Sequence, residues 1–187
     1  MRRISSLYLA GPELWFPQAA SHREAQRLIV EAAGYSMLAP DAPPTNADPS
    51  ELTARVLYAD RLTRLRTADA GIVNLTPWRG PSCDAATAFE AGFMAALGKP
   101  VFAFLNVGGE HEAEYGARVE DQIGLAADGD GLLRDLDGCL VEDFGLPETF
   151  MLWAEARRLF VIVTLDPLGE LAGLEMCLEA VKAYDHD

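Results

Sequence analysis

Short apolar runs alternate along the chain with segments whose apolar residues recur at helical spacing. Residues 5–10 are mostly apolar and end at a Gly-Pro pair, and residues 19–33 have the spacing of an amphipathic helix that stops at Gly34. A second apolar run, 35–39, precedes the proline-rich segment 40–49, which predicts an irregular loop because proline suits neither a helix interior nor a central strand. The start of the chain therefore predicts a strand, a helix, a second strand and a loop.

The same alternation continues through the middle of the chain. It predicts a helix at 51–67 with Ser50 as its N-cap, a strand at 70–75, a helix at 84–97 and a strand at 101–105. Strands that alternate with helices favour an α/β fold. The predicted fold class is a doubly wound parallel sheet with helices on both faces, in which the loops that follow the strands lie along one edge.

The second half of the chain is less regular. Residues 108–139 are rich in Gly, Asp and Glu and predict a long solvated insertion, which a strand at 159–165 and a final helix at 168–184 follow. The sequence contains no internal repeat and no linker that would divide it. Residues 1–187 are therefore interpreted as a single domain with an acidic, glycine-rich insertion around 108–139.

The composition is that of an acidic globular protein. Hydrophobic residues make up 50% of the 187 positions, and 29 Asp and Glu against 15 Lys and Arg give a formal charge of −14. Such a surface repels phosphate backbones and anionic lipids, so neither a nucleic acid polymer nor a membrane is an expected partner. The three cysteines lie far apart without a CxxC pair, which argues against a disulfide framework or a zinc site. We expect a reduced, cytoplasmic protein without a bound metal.

Candidate chemistry is concentrated where the strand at 70–75 passes into the next helix. Ligands of open α/β sheets bind at the carboxyl ends of the strands, and here a loop with Arg79 leads into a helix that carries Asp84 and Glu90. Glu90 lies among alanine and phenylalanine, which suits either a carboxylate used in chemistry or one on the solvated face of the helix. Asp84 is either functional or a first-turn acid that stabilises the helix through its dipole.

Several motifs occur in one order over most of residues 5–155. They are YLAGP at 8–12, DAGIVNLTPWRG at 69–80, D-x-x-T-x-x-E at 84–90, GKPV at 98–101, YG at 115–116 and VEDFGLP at 141–147. Each motif alone is unspecific, but the ordered set is not. With these motifs the sequence resembles the nucleoside 2-deoxyribosyltransferase family.

The resemblance implies a flavodoxin-like α/β fold and an enzyme that transfers a 2-deoxyribosyl group between nucleobases. It implies that Glu90 is the nucleophile of a covalent glycosyl intermediate, that Tyr8 hydrogen-bonds Glu90, and that Asp84 serves the sugar hydroxyl or the base. The implied substrates are a deoxynucleoside and a free nucleobase, and no cofactor is needed. The resemblance also implies a homo-oligomer, dimeric or larger, because a neighbouring subunit completes the site.

Eight further positions are predicted to bind substrate. Gly11 and Pro12 are expected to shape the loop after the first strand, and Phe16 and Trp78 are candidates for stacking on a base. The two positions nearest the carboxyl end are expected to act from a neighbouring subunit. The full set is Gly11, Pro12, Phe16, Asp60, Trp78, Arg79, Thr149 and Met151.

The sequence departs from the family pattern at three places. Ala86 stands where a glycine is usual, Thr149 stands where an asparagine is usual, and the stretch 59–62 stands where many members have an asparagine near the base. Two alternative functions stay open. One is an N-glycosidase that hydrolyses deoxynucleosides or nucleoside 5-monophosphates, although the loop 13–17 offers no Ser or Arg for a phosphate. The other is a non-catalytic module that senses a nucleoside derivative.

Overall fold

The computed structural model describes residues 3–40 and 49–186, so most of the predicted proline-rich loop lies outside the described residues. The described strands are β1 (Ser6–Ala10), β2 (Ser36–Leu38), β3 (Ala70–Asn74), β4 (Val101–Val107), β5 (Leu125–Ala127), β6 (Leu133–Asp135) and β7 (Leu159–Val163). The described α-helices are α1 (Ala19–Ala32), α2 (Glu51–Thr67), α3 (Ala85–Ala96), α4 (Tyr115–Ile123), α5 (Phe150–Glu155) and α6 (Ala172–His186). Short 3₁₀ helices span Pro12–Trp15 and Glu110–Ala113.

Five of the strands form one parallel sheet in the order β2-β1-β3-β4-β7. In its register Tyr8 of β1 lies opposite Gly71 of β3, and Val73 of β3 lies opposite Ala103 of β4. Counted along the sheet alone, this is the 2-1-3-4-5 order of doubly wound, flavodoxin-like proteins. The predicted fold class is confirmed, and the loops after β1 and β3 meet at the same edge.

Alternate residues of β1 face opposite layers of helices. Leu7 and Leu9 belong to a buried cluster with α1 and α6, whereas Tyr8 and Ala10 belong to a cluster with α2 and α3. This alternation follows from the period of two along a strand. Tyr8 is therefore directed at the layer that contains α3, the helix that carries Glu90.

Helix α3 packs closely on the sheet. A β-carbon added at Gly71 would lie 2.7 Å from the Sδ atom of Met94, so a larger residue at this position would force the Met94 side chain of α3 to shift. The helix begins after Asp84 and ends before Gly98, whose φ of +70° lies in the left-handed region that favours glycine. Its beginning therefore lies at the edge of the sheet where the loops gather.

The insertion is more regular than the sequence predicts. It contains helix α4 and the antiparallel pair β5 and β6. Arg118 and Val119 of α4 are buried, and the turn between the strands is closed by Asp128, which accepts from the backbone N–H of Leu132 and pairs with Arg134. Glycine and aspartate in this segment thus form turns within a folded element, because their side chains and dihedral angles suit tight turns.

Smaller differences concern the ends of elements. Strand β4 extends to Val107, β7 ends at Val163 and α6 begins at Ala172, whereas α5 was not predicted because it is only one and a half turns long. No helix within residues 3–40 and 49–186 is long and apolar enough to cross a membrane.

Candidate active site

Tyr8 and Glu90 meet between the sheet and α3. The phenolic hydroxyl of Tyr8 donates a hydrogen bond of 2.9 Å to Oε1 of Glu90, and the two side chains belong to residues that are 0% and 4% exposed. A buried carboxylate is unfavourable unless it is paired or used. Glu90 therefore does not lie on the solvated face of its helix, which was the alternative left open by its surroundings in the sequence.

The pKa of Glu90 reflects groups that raise it and groups that lower it. Burial raises its pKa to about 7, and the carboxylates of Asp84 and Glu13 add to this rise, whereas the hydrogen bond from Tyr8 and the charge of Arg61 oppose it. Burial and the neighbouring Glu90 raise the pKa of the Tyr8 phenol well above its usual range. Tyr8 thus stays a hydrogen-bond donor at every physiological pH, while Glu90 titrates near neutrality.

Arg61 is a charged neighbour of Glu90 that the sequence analysis did not select. Its Nη1 lies 3.6 Å from Oε1 of Glu90. The predicted residue, Asp60, is directed elsewhere and accepts from Nε of Arg64 at 2.8 Å on the exposed side of α2. Adjacent residues of a helix point about 100° apart, so only one of the two reaches Glu90. The sequence does contain a signal for Arg61. It adjoins Leu62 and lies one turn before Leu65, and both leucines are on the buried face of α2, so Arg61 lies near that face.

A cavity of about 380 Å³ opens beside Glu90 between α2, α3 and the loop after β1. Its walls are mostly apolar, with three aromatic rings from Trp15, Tyr58 and Phe89, and its charged groups are Arg61 and Glu90. Tyr58 and Phe89 approach with ring centroids 6.4 Å apart. The cavity has the volume and lining typical of a small-molecule site.

Asp84 caps the beginning of α3. Its Oδ2 accepts from the backbone N–H groups of Ala86 and Thr87 at 3.1 and 3.3 Å. This is the helix-stabilising arrangement expected of an acid at this position. Asp84 does not line the cavity beside Glu90, although its charge raises the pKa of Glu90.

The loop after β1 holds a second buried carboxylate. Oε1 of Glu13 accepts from Nδ2 of Asn74 at 2.7 Å and from Nε2 of Gln26 at 3.1 Å. Gly11 and Pro12 are buried beside it, and a β-carbon at Gly11 would overlap the Glu13 carboxylate. Burial raises the pKa of Glu13, while its hydrogen bonds oppose the rise. Glycine at position 11 thus leaves the space that the Glu13 carboxylate occupies.

Glu13 and Asn74 were missed as site residues by the sequence analysis. Both follow from the rule that polar groups at the carboxyl ends of parallel strands meet, because Glu13 comes soon after β1 and Asn74 ends β3. Glu13 also lies in an otherwise apolar stretch, which was the available signal.

Phe16, Trp78 and Arg79 come together beside the loops that follow β1 and β3. The rings of Phe16 and Trp78 are 5.3 Å apart at 47°, and the guanidinium of Arg79 lies 5.2 Å from the centre of the Trp78 ring. The indole Nε1 of Trp78 is buried and has no hydrogen-bond partner among the described residues. The two predicted stacking residues therefore pack on each other, and neither lines the cavity beside Glu90.

Thr149 and Met151 lie on the other side of α3. They line a second cavity of about 510 Å³ together with Ala88, Ala91 and Gly92, whereas Glu90 and its neighbours face the first cavity. At 100° per residue these two sets lie on opposite faces of the helix. Met151 is 69% exposed. Within one chain, the structure does not bring Thr149 and Met151 to Glu90.

A buried ion pair supports the loop that leads into α3. Arg118 donates to the backbone carbonyls of Pro81, Glu112 and Pro147, each at 2.7 Å, and lies 3.6 Å from the buried Glu148. Glu148 in turn accepts a hydrogen bond of 2.7 Å from the hydroxyl of Ser82. Arg118 thus joins the insertion to the segments before α3 and before α5.

The described residues contain no group of three or more His, Cys, Asp or Glu side chains that could hold a metal ion. The arrangement at the site is instead a buried acid, a phenol donor and an arginine beside an aromatic cavity. Such a carboxylate can attack an electrophilic carbon when it is ionised.

The chain is similar to several known proteins. The family model for "Nucleoside 2-deoxyribosyltransferase" matches residues 7–151. An uncharacterized protein of Schizosaccharomyces pombe is 29% identical over 160 residues, which cover 80% of this chain and 75% of the relative. The solved structure of a 2-desoxiribosyltransferase from Leishmania mexicana is 24% identical, with a TM-score of 0.60, and the match covers 94% of this chain and 97% of the other. A CMP N-glycosidase of Clostridium botulinum is 14% identical with a TM-score of 0.47, over 92% and 99% of the two chains.

Proposed function

The chain belongs to the nucleoside 2-deoxyribosyltransferase family, and we propose that it transfers a 2-deoxyribosyl group from a deoxynucleoside to a free nucleobase. The observation that carries the proposal is the buried contact between Tyr8 and Glu90 at the wall of an open cavity. The hydrogen bond orients the Glu90 carboxylate, and the cavity beside it can hold a substrate. The hydrogen bond fits the roles that the family resemblance implies for these two residues.

In the first step Glu90 attacks the anomeric carbon of the donor. Tyr8 and Arg61 both contact Oε1, so we assign Oε2 as the attacking oxygen. A bond forms between this oxygen and C1′ while the bond from C1′ to the base nitrogen breaks, and its electron pair stays on the base. The adjacent negative charge stabilises the oxocarbenium-like transition state. Because a 2-deoxy sugar lacks the electron-withdrawing 2-hydroxyl, one carboxylate suffices.

In the second step a nitrogen of the acceptor base attacks C1′ and releases Glu90. Two inversions at C1′ give net retention. Water in place of the second base would give hydrolysis, which is the outcome that separates an N-glycosidase from a transferase. Asp84 holds the beginning of α3, and its charge adds to the rise that burial produces in the pKa of Glu90.

We further propose that the active form is a homo-oligomer in which a neighbouring subunit supplies Thr149 and Met151 to the site. Two observations support this. The residues face away from Glu90 in their own chain, and exposed apolar side chains lie on α5 and in contact with it. These side chains are Phe144, Phe150 and Trp153. Large exposed apolar patches are typical of surfaces that contact another protein.

The test is a chromatographic assay with a deoxynucleoside and an acceptor base, run for the wild type, for Glu90→Gln and for Glu51→Gln as an exposed control on α2. We expect the exchanged deoxynucleoside with the wild type and the control, but not with Glu90→Gln. Mass spectrometry of wild-type protein incubated with donor alone should find the 2-deoxyribosyl group on the peptide that contains Glu90. Free deoxyribose without exchange would instead support the hydrolase, and the absence of turnover and of the adduct would support a sensing module.

A further inference from the structure

Arg61 has more hydrogen-bonding capacity than its partners among the described residues use. A guanidinium carries five N–H donors. Its contact with Glu90 is 3.6 Å long, an ion pair beyond hydrogen-bond distance, and among the described residues its guanidinium makes no hydrogen bond. The side chain is only 19% exposed. Donors that have no partner among the described residues and lie at the wall of a cavity are available to a ligand that enters it.

The residues around Arg61 indicate the chemical class of the ligand. The rings of Trp15, Tyr58 and Phe89 line the same cavity, yet each of them is about half exposed. Exposed aromatic rings at the mouth of a cavity offer faces on which a flat ring can stack. Arg61 is the positively charged residue that lines this apolar cavity. The N–H groups of its planar guanidinium can donate hydrogen bonds to carbonyl oxygens and ring nitrogens that lie in the same plane. A planar heterocycle with an acceptor atom satisfies both features.

We propose that Arg61 is a catalytic residue that binds the nucleobase at the acceptor atom next to its glycosidic nitrogen and stabilises the negative charge that the base acquires when it leaves. This inference rests on the proposed transfer reaction. The base of the donor and, later, the acceptor base occupy the aromatic cavity in turn.

The charges and protons balance without a separate acid. When the bond between C1′ and the base nitrogen breaks, the electron pair delocalises onto the neighbouring carbonyl oxygen or ring nitrogen, which accepts a hydrogen bond from Arg61. Arg61 donates a hydrogen bond to the base and transfers no proton. The departed base takes a proton from water, and the acceptor base gives a proton to water as it attacks C1′, so water carries the proton between the two bases. The net reaction exchanges one neutral base for another.

Position favours a base over a phosphate as the ligand of Arg61. The carboxylate of Glu90 must lie beside C1′, and Arg61 lies beside that carboxylate. The base is bonded to C1′ directly, whereas a 5-phosphate is attached at the far end of the sugar. The walls of the cavity are aromatic and aliphatic, which suits a base and solvates a phosphate poorly.

The experiment compares Arg61→Met with Arg55→Met, which removes the same charge from the exposed side of α2. The donors are 2′-deoxyuridine and its derivatives with electron-withdrawing groups at C5 of the base, which make the base a better leaving group. The pH is above the value at which Glu90 ionises. We expect Arg61→Met to lower kcat/KM about hundredfold for 2′-deoxyuridine and much less for the activated donors. Arg61→Lys, which keeps a cation, should lie between, and Arg55→Met should match the wild type.

Equal losses for all donors would overturn the proposal, since they would mean that Arg61 acts only through Glu90 or through the fold. Circular dichroism and thermal melts verify that the variants are folded. Calorimetric titration with free uracil and with inorganic phosphate gives a second readout that does not depend on turnover. Weaker uracil binding in Arg61→Met than in Arg55→Met supports the base site even if the transfer reaction is absent. Unchanged uracil binding, or phosphate binding that is lost with Arg61, overturns it.

Discussion

Tyr8 of β1 donates a hydrogen bond of 2.9 Å to Glu90 of α3, although the two residues lie 82 positions apart in the chain. The contact joins the central region of the sheet to the helix that follows β3. It gives a buried carboxylate one fixed orientation while its pKa stays near neutrality. The proposed chemistry depends on both properties.

The rate of transfer should rise with pH through about 7. Glu90 attacks only when it is ionised, and burial raises its pKa to about 7 from an ordinary value of 4.5, so that the protonated form dominates at lower pH. The measurement is kcat/KM for one donor between pH 5 and pH 9. We expect a loss on the acidic side and a plateau on the alkaline side. A profile that is already flat at pH 5 would show that Glu90 does not set the rate.

Tyr8→Phe should move this inflection to higher pH. The hydrogen bond from Tyr8 favours the ionised form of Glu90, so its removal raises the pKa of that carboxyl further. At pH 6.5 we expect kcat/KM to fall about tenfold, the equivalent of one hydrogen bond to a charged group, with partial recovery at pH 9. Tyr35→Phe, on the other side of the sheet, is the matched control. A loss that is the same at every pH would argue against this role.

Gly11→Ala should destabilise the protein. The new β-carbon overlaps the Glu13 carboxylate and displaces it from Asn74 and Gln26, which we expect to lower the free energy of unfolding by about 1–3 kcal/mol. Gly92→Ala is the control, because position 92 is helical with open space around it, and it should stabilise by up to about 1 kcal/mol. Urea denaturation of both variants measures the difference. Equal stabilities would contradict the crowding at Gly11.

Arg118→Met should destabilise strongly. The substitution leaves Glu148 buried without its cation and three backbone carbonyls without their donor, which costs about 3–5 kcal/mol. The double variant Arg118→Met with Glu148→Met removes the uncompensated charge, so it should be more stable than Arg118→Met alone. Denaturant unfolding of the two variants tests this order. The reverse order would show that Glu148 is stable without Arg118.

Mixed oligomers should restore activity if Thr149 and Met151 act from a neighbouring subunit. Glu90→Gln lacks the proposed nucleophile but keeps both residues, and the variant Thr149→Ala with Met151→Ala keeps Glu90. Subunit exchange between these two inactive proteins would create some sites in which all three residues are native. We expect exchange activity in the mixture and none in the separate proteins. A strictly monomeric, active wild type in light scattering would contradict the shared site.

Periodicity accounts for much of the fold. The predicted strands and helices up to β4 agree with the structure within a few residues, since long apolar patterns report directly on buried faces. The insertion and α5 could not be predicted in the same way, because short elements with many polar residues are held by specific contacts such as those of Arg118. Glu90 and Tyr8 were identified through motifs. Arg61 was not, because its neighbour Asp60 carries an equally plausible functional group.

The sequence by itself determined the order of strands and helices up to β4, the alternation that turns Tyr8 towards α3, and the presence of a glutamate in an apolar helix. These depend on local periods of two and 3.6 residues. Only the tertiary structure decided that Arg61 approaches Glu90 while Asp60 faces solvent, that Glu13 is buried against Asn74, and that Thr149 lies across α3 from Glu90. The reason is that the rotation and distance of packed helices depend on the side chains of several segments together, and no local pattern encodes them.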